Sequence, residues 1–309
     1  MTAAVEFTPP ALSQPLLRAV LRGGLRLLFR SLVRPPMPIA LQRGVLRLLT
    51  AATPTPRGLS LTPGQIGGRP CEWHRPPEEN GRVLLYLHGG AYLIGSPATH
   101  RGISATLAKL GQRAVCVLDY RLAPEHPYPA ALEDAVAAYR ELLAMGYRGE
   151  QIVIGGDSAG GNLTLVTALR LQELGLPLPV ALVCFSPVTD FSFTHVHQPP
   201  AGDPLLNPAW IKQALALYCP PGQDPKAPGL SPLFADVHGL PPLLIQVGSD
   251  ELLLNDSLRF AEHAKAAGVA VQLEVYPGLW HVFQAHAGML KAADFAMARV
   301  ASFLRAQEG

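Results

Sequence analysis

No stretch of this sequence stays apolar for the roughly 18 residues that a membrane span needs, and the Arg-punctuated N-terminus lacks the apolar core and small-residue cleavage site of a secretory leader. Stable membrane insertion is therefore excluded, and a cytoplasmic location is the expectation. Cysteine is scarce: Cys71, Cys116, Cys184 and Cys219 show no Cys-x-x-Cys spacing, and Cys116 and Cys184 lie inside apolar runs, so reduced and buried thiols are expected. Charge is sparse too, with 16% charged residues and a formal net charge of +2. No Lys/Arg run is interleaved with aromatics, which gives no basis for a nucleic-acid partner. There is no internal repeat and no low-complexity tract. The His195-Val196-His197 pair has no Cys or carboxylate beside it to complete a metal-ligand set, so no metal is expected there.

What is abundant is apolar residues, 49% of 309, enough for large buried faces in a single domain. The charge that exists is uneven. Residues 1–50 carry seven Arg and one Glu, a balance of +6 against −4 for the remainder. Arg18, Arg22, Arg26, Arg30 and Arg34 recur every four positions, while Leu17, Val20, Leu21, Leu25, Leu28, Leu32 and Val33 fill the other side. The spacing predicts a basic amphipathic helix. It reads as a cap helix with its apolar side on the body and a solvated Arg stripe, a membrane-surface helix being the alternative. Gly23-Gly24 argues against one straight helix.

Beyond residue 50, short apolar runs alternate with longer helical patterns. Strands are expected near 83–87, 114–119, 151–155, 180–186, 242–248 and 270–276, and helices near 99–110, 129–145, 159–174, 251–267 and 286–305. Such alternation implies βαβ units and a mostly parallel sheet flanked by helices, with residues 59–74 adding an antiparallel edge hairpin. Ligands in such folds sit beyond the carboxyl ends of the strands. The connection after the sixth strand, about 55 residues, is too long for a plain crossover. With residues 1–50 this insertion, about 188–235, is expected to form a cap on a catalytic body of 51–309. Asp157, Tyr92, Phe191, Leu205, Leu206, Trp210 and Ile211 are candidate pocket residues, Phe193 a further apolar one; ordinary packing explains each of the apolar insertion residues equally well.

The run from Gln151 to Asn162 contains Gly156-Asp157-Ser158-Ala159-Gly160, a serine between glycines where a strand gives way to a helix. A strained turn that projects the hydroxyl from the top of the sheet is the expectation, the glycines sparing Cβ collisions; a Gly-rich turn without chemistry fits the bare pattern as well. A serine hydroxyl attacks only if a base takes its proton and a third group orients the base. Of ten histidines, His281 alone sits in the loop after the last predicted strand, His286 falling in the expected final helix. For the acid, Asp250 ends the run 243–249, Asp190 after the preceding strand is its rival, and Asp256 belongs to the following helix. Developing negative charge on an attacked carbonyl needs donors in place. The glycine turn His88-Gly89-Gly90-Ala91 offers the N–H groups of Gly89, Gly90 and Ala91, and the elbow offers that of Ala159. His88 itself reads as structural.

These segments resemble the hormone-sensitive-lipase-like branch of the α/β-hydrolases, which includes many bacterial carboxylesterases. The resemblance rests on His88-Gly89-Gly90-Ala91, Asp119 to Ala130, Gly156 to Gly161, Gly248-Ser249-Asp250-Glu251-Leu252 and Trp280-His281-Val282-Phe283, and spans about residues 70–305. It implies an α/β-hydrolase fold, the triad order Ser158, Asp250, His281, and Asp250 rather than Asp190 as the acid. It also implies hydrolysis of short- to medium-chain acyl esters through a covalent acyl-enzyme, with no cofactor. One departure is Ala91, where the family usually has glycine, which puts the backbone angle there and the room beside it in question. A small-molecule ester is the expected partner. The alternatives are an amide hydrolase on the same site and a non-catalytic receptor on the same fold. The last strand, 270–276, would be an open edge for a homodimer.

Overall fold

A computed structural model describes residues 7–31 and 33–308; the first six residues of the expected cap, and Leu32 of its apolar side, lie outside the described residues. Two helices, α1 (Pro15–Ser31) and α2 (Ile39–Thr50), precede a hairpin of β1 (Ser60–Ile66) and β2 (Arg69–Arg75). Then follow β3 (Val83–Leu87), α3 (Arg101–Gly111), β4 (Ala114–Leu118), α4 (Ala130–Ala144), β5 (Ile152–Asp157), α5 (Ala159–Glu173) and β6 (Ala181–Phe185). The chain closes with α6 (Pro208–Tyr218), β7 (Leu243–Gly248), α7 (Leu254–Ala266), β8 (Val271–Tyr276) and α8 (Lys291–Ala306).

The eight strands form one sheet in the order β1-β2-β4-β3-β5-β6-β7-β8. Only the β1–β2 and β2–β4 pairings are antiparallel; the rest are parallel, for example Val83 opposite Ile152 and Leu87 opposite Gly156. β3 to β7 are buried along their whole length, because helices cover both faces and every side chain finds an apolar neighbour. Alternate residues divide between two cores. Leu85 and Leu87 of β3 face one cluster with residues of α4 and α5, while Leu84 and Tyr86 face the other, built on α3 and α8.

α1 runs unbroken through Gly23-Gly24. Its Leu17, Leu21 and Leu25 pack on one core cluster and Leu28 and Phe29 on the other, but Leu16, Val20 and Leu27 point outward, each at least 70% exposed. The arginine stripe is not simply solvated. Arg18 donates to the carbonyl of Gly278 at 2.7 Å, Arg22 to Asp250 and to the carbonyl of Gly202, both at 2.7 Å, and Arg26 to the carbonyl of Ala201. Carbonyls at loop turns have no strand partner, and guanidinium groups supply the missing donors. Within the segment after β6, Trp210 of α6 donates from Nε1 to the buried Gln42 of α2 at 2.9 Å. Among the described residues no helix is long and apolar enough to cross a membrane.

Candidate active site

β5 delivers Ser158 into a turn with φ 54° and ψ −118°, immediately before α5. An L-residue there is strained, and the turn is possible because its flanks carry no Cβ. A Cβ on Gly156 would strike the carbonyls of Leu87 and Gly160, and one on Gly160 those of Leu87 and His88. The backbone is pinned by Ser158 N–H donating to Phe185 at 2.8 Å. The hydroxyl makes no hydrogen bond to another protein group among the described residues, and it borders two cavities.

The larger cavity, about 410 Å³, holds Ser158 and His281 on its wall, with α1 and α2 opposite through Leu21, Leu25, Phe29 and Leu46. The smaller, about 40 Å³, lies on the other side of Ser158. Tyr92, Phe191, Leu206, Trp210 and Ile211 line the smaller one; Leu206 and Trp210 separate the two; Leu205 and Asp157 border only the larger. Tyr92 stacks on Tyr218 at 3.8 Å between ring centres and donates from its hydroxyl to Asn162 at 2.7 Å, which fixes the floor of the small pocket.

His281 is buried and its Nδ1 lies 3.0 Å from Oε1 of Glu251, a fully buried carboxylate. The other oxygen of Glu251 accepts from the hydroxyl of Ser186 at 2.7 Å and from the N–H of Gly248 at 2.9 Å. With the proton held on Nδ1 by the carboxylate, Nε2 keeps its lone pair. Burial opposes the imidazolium, but the hydrogen bond and charge of Glu251, with Asp203 and Asp157 adding theirs, outweigh it and hold His281 above the usual imidazole value.

The carboxylate beside His281 is therefore Glu251, and Asp250 is elsewhere. Its Oδ2 accepts from Arg22 at 2.7 Å and its Oδ1 from the hydroxyl of Ser249 at 3.2 Å. The chain has left the strand by this point, and successive side chains diverge: Asp250 turns toward the cap, Glu251 back under the sheet edge toward Ser186. Asp190 is committed to Arg259 at 2.8 Å and to the N–H of Ser192. Asp256 accepts the N–H groups of Thr189 and Asp190 at 2.7 and 3.0 Å, and burial pushes its carboxyl up to about 7. His286 ends a 3-10 turn ahead of α8 and shares the large cavity with His281.

Around the serine, the N–H groups of Gly90, Ala91 and Ala159 make no hydrogen bond within the protein among the described residues. That of Gly89 does: it donates to Oδ1 of Asp157 at 3.1 Å, which removes Gly89 from the set of free donors. Asp157 also accepts from the hydroxyl of Tyr86 at 2.6 Å and faces His100 at 3.4 Å. The Asp157 side chain thus borders the cavity but is spent on tying β5 to the glycine turn. Ala91 sits at φ 54° and Tyr92 at 61°, so the residue that replaces the usual glycine holds the left-handed conformation that favours glycine. His88 is buried, stacked on Tyr120 at 4.3 Å, with Nδ1 2.9 Å from the Gly89 carbonyl. Burial and the neighbouring His100 push its pKa down to about 3, so it stays neutral and structural. His195 and His197 meet no cluster of His, Cys, Asp or Glu suited to a metal among the described residues.

A family profile described as "alpha/beta hydrolase fold" matches residues 84–285. The chain is 41% identical over 257 residues to an acetyl-hydrolase of Streptomyces hygroscopicus, spanning 81% of this chain and 85% of that protein. It is 36% identical over 282 residues to an esterase of Acinetobacter venetianus, spanning 89% and 93%. A crystal structure of an esterase from the bacterial hormone-sensitive lipase family superposes with a TM-score of 0.88 at 39% identity, covering 96% of this chain and all of that one.

Proposed function

Because the chain belongs to the α/β-hydrolase family, on its hormone-sensitive-lipase-like esterase branch, we propose that Ser158, His281 and Glu251 act as the triad of its carboxylic-ester hydrolysis. The observation that carries this reading is the buried Glu251–His281 pair at 3.0 Å on the wall of the cavity that Ser158 also borders.

The Ser158 hydroxyl oxygen attacks the ester carbonyl carbon as its proton passes to Nε2 of His281. Free active-site groups are often apart before substrate arrives and close on it. Negative charge gathers on the carbonyl oxygen, where the N–H groups of Gly90, Ala91 and Ala159 await it; one such donor is worth about 3 kcal/mol. The C–O bond then breaks, the departing alkoxide takes the proton from His281, and the acyl group stays on Ser158. A water gives a proton to the same imidazole, its oxygen attacks the acyl carbon, and Ser158 leaves with its proton restored. Glu251 keeps the imidazole in the right tautomer and stabilises its charged form.

The leaving oxygen must lie beside its proton donor, and His281 borders only the larger cavity. The alcohol part of the ester therefore takes the roomy, cap-lined side, and the acyl part takes the small pocket floored by Tyr92, Phe191 and Tyr218. This supports short acyl chains. Residues 1–50 and about 188–235 serve as the cap, joined by the Trp210–Gln42 bond. A reducing, cytoplasmic setting suits the free thiols, three of them buried. The outermost strand β8 pairs only with β7 and offers a homodimer edge, which the mass in solution tests.

The deciding experiment is labelling with a fluorophosphonate, followed by mass mapping. One adduct on Ser158, and loss of both label and p-nitrophenyl acetate hydrolysis in Ser158→Ala, is the expected result. An unlabelled wild-type serine would overturn the reading.

A further inference from the structure

Glu251 is flanked by two residues that the cap holds. On one side Asp250 receives Nη1 of Arg22 from α1 at 2.7 Å. On the other, the N–H of Leu252 donates to Oδ2 of Asp203 at 2.9 Å, and its carbonyl accepts from the N–H of His197 at 3.0 Å. Asp203 and His197 both belong to the segment between β6 and α6. The two holds are themselves joined, since Nη2 of Arg22 donates to the carbonyl of Gly202 at 2.7 Å, next to Asp203. The remaining oxygen of Asp203 accepts the N–H groups of Leu205 and Leu206 at 2.8 and 3.0 Å, the two residues that line the large cavity. One connected set of hydrogen bonds thus runs from the cap helix, through a cavity wall, to the Asp250 side chain before the carboxylate and the Leu252 backbone after it.

The body fixes Oε2 of Glu251 through Ser186 and Gly248. It also holds the Asp250 N–H on the Leu279 carbonyl at 2.8 Å. Oε1, the oxygen that meets His281, depends on how the carboxylate plane is turned, and that is set by the backbone of 250–252. Resting on the triad proposed above, we infer that Arg22 and Asp203 are positioning residues for Glu251, so that seating the cap over the cavity and orienting the acid toward His281 are a single event. A cap that merely covers substrate has no need to grip the residues on both sides of the acid.

The test compares Arg22→Met with Arg22→Lys, and with Leu27→Gln on the outward side of the same helix, on a small acetyl ester. Rates are normalised to fluorophosphonate-titrated sites so that unfolded molecules do not count. In Arg22→Met, kcat falls about 10-fold, as expected for a slightly misplaced catalytic group, while KM moves less. The groups facing His281 are Glu251, Asp203 and Asp157. As Glu251 loosens, burial gains the upper hand and the acid limb of kcat/KM shifts to lower pH. Arg22→Lys keeps a charge for Asp250 and recovers most of kcat, and Leu27→Gln changes nothing. Asp203→Asn serves as a second probe should Arg22→Met fail to fold; it removes a charge near His281 as well, so its kcat and not its pH limb is read. An Arg22→Met enzyme with unchanged kcat and pH limb, or one altered only in KM for bulky esters, overturns the inference while leaving the triad standing. A wild-type protein that fails to take the label overturns the triad itself.

Discussion

His100 stands 3.4 Å from Asp157, Nε2 against Oδ2, in a buried pair beneath the glycine turn that carries Gly90 and Ala91. Burial disfavours each charge, yet each partner overcomes it for the other: His100 is held above its usual pKa and Asp157 below its own. Both shifts favour the ionised pair. The His100 contribution to stability is complete below about pH 6.5 and is lost as pH rises through its raised folded value. The Asp157 contribution is complete above about pH 3.8 and is lost as pH falls through its lowered one.

Replacing His100 by leucine leaves a buried carboxylate with no counter-charge. Such losses cost about 3–5 kcal/mol. His100→Leu is therefore expected to lower the denaturation midpoint sharply at neutral pH and by less once Asp157 is protonated. As Gly89 N–H hangs on the same carboxylate, kcat should fall too. Thermal melts across pH 4–8 check the first point and steady-state rates the second.

Glu251→Gln and Asp250→Asn separate the two adjacent acids. Glutamine keeps the shape but cannot hold the tautomer or the charge of His281, and a drop in kcat of about 10²- to 10⁴-fold is expected. Asp250→Asn still offers Arg22 an oxygen and should cost at most about 10-fold. In the wild type, kcat/KM should rise with pH through an apparent pKa above the usual imidazole value of about 6.5, because the base works only when neutral and Glu251 favours its protonated form. In Glu251→Gln any residual activity should titrate at lower pH. The reverse ranking of the two variants would make Asp250 the acid.

Ala91→Gly relieves a side chain held at φ 54°, a strain of about 1–2 kcal/mol, but frees the unfolded chain by about 0.5–1 kcal/mol. Net stability should rise by about 0–1.5 kcal/mol. Ala91 also lines the small pocket, and removing its methyl group should extend hydrolysis to longer acyl chains on a fixed p-nitrophenol. Rates from acetate to octanoate for both proteins check this.

The central strands, β3 to β7, were legible because that part of the sheet is buried on both faces. Continuous apolar runs such as Val83–Leu87 and Ala181–Phe185 have no other stable home. Ser158 and its flanking glycines were legible because the turn admits almost nothing else. What was hidden depends on direction rather than identity. Two acids in a row at 250 and 251 leave the strand together, and only the three-dimensional positions of Ser186 and Arg22 decide which faces His281. That the Gly89 N–H is taken up by Asp157 was hidden for a similar reason, since that acceptor lies 68 positions away. For the arginines of α1, helical spacing revealed the stripe, but the carbonyls that receive Arg18, Arg22 and Arg26 lie in loops without periodic pattern.

The ion pair between Arg22 and Asp250 joins positions 228 apart. A ribosome finishes α1 long before the residue that anchors it exists, and the anchoring loop also depends on Leu279, further on still. Throughout that interval the inner leucines of α1 have no finished cavity to line. Pairings of such sequence separation form late, and apolar segments left waiting invite association between chains. Heterologous production should therefore gain more from slowed synthesis or a holding chaperone than from stronger individual helices, and fragments ending before residue 250 should be recovered chiefly as aggregate.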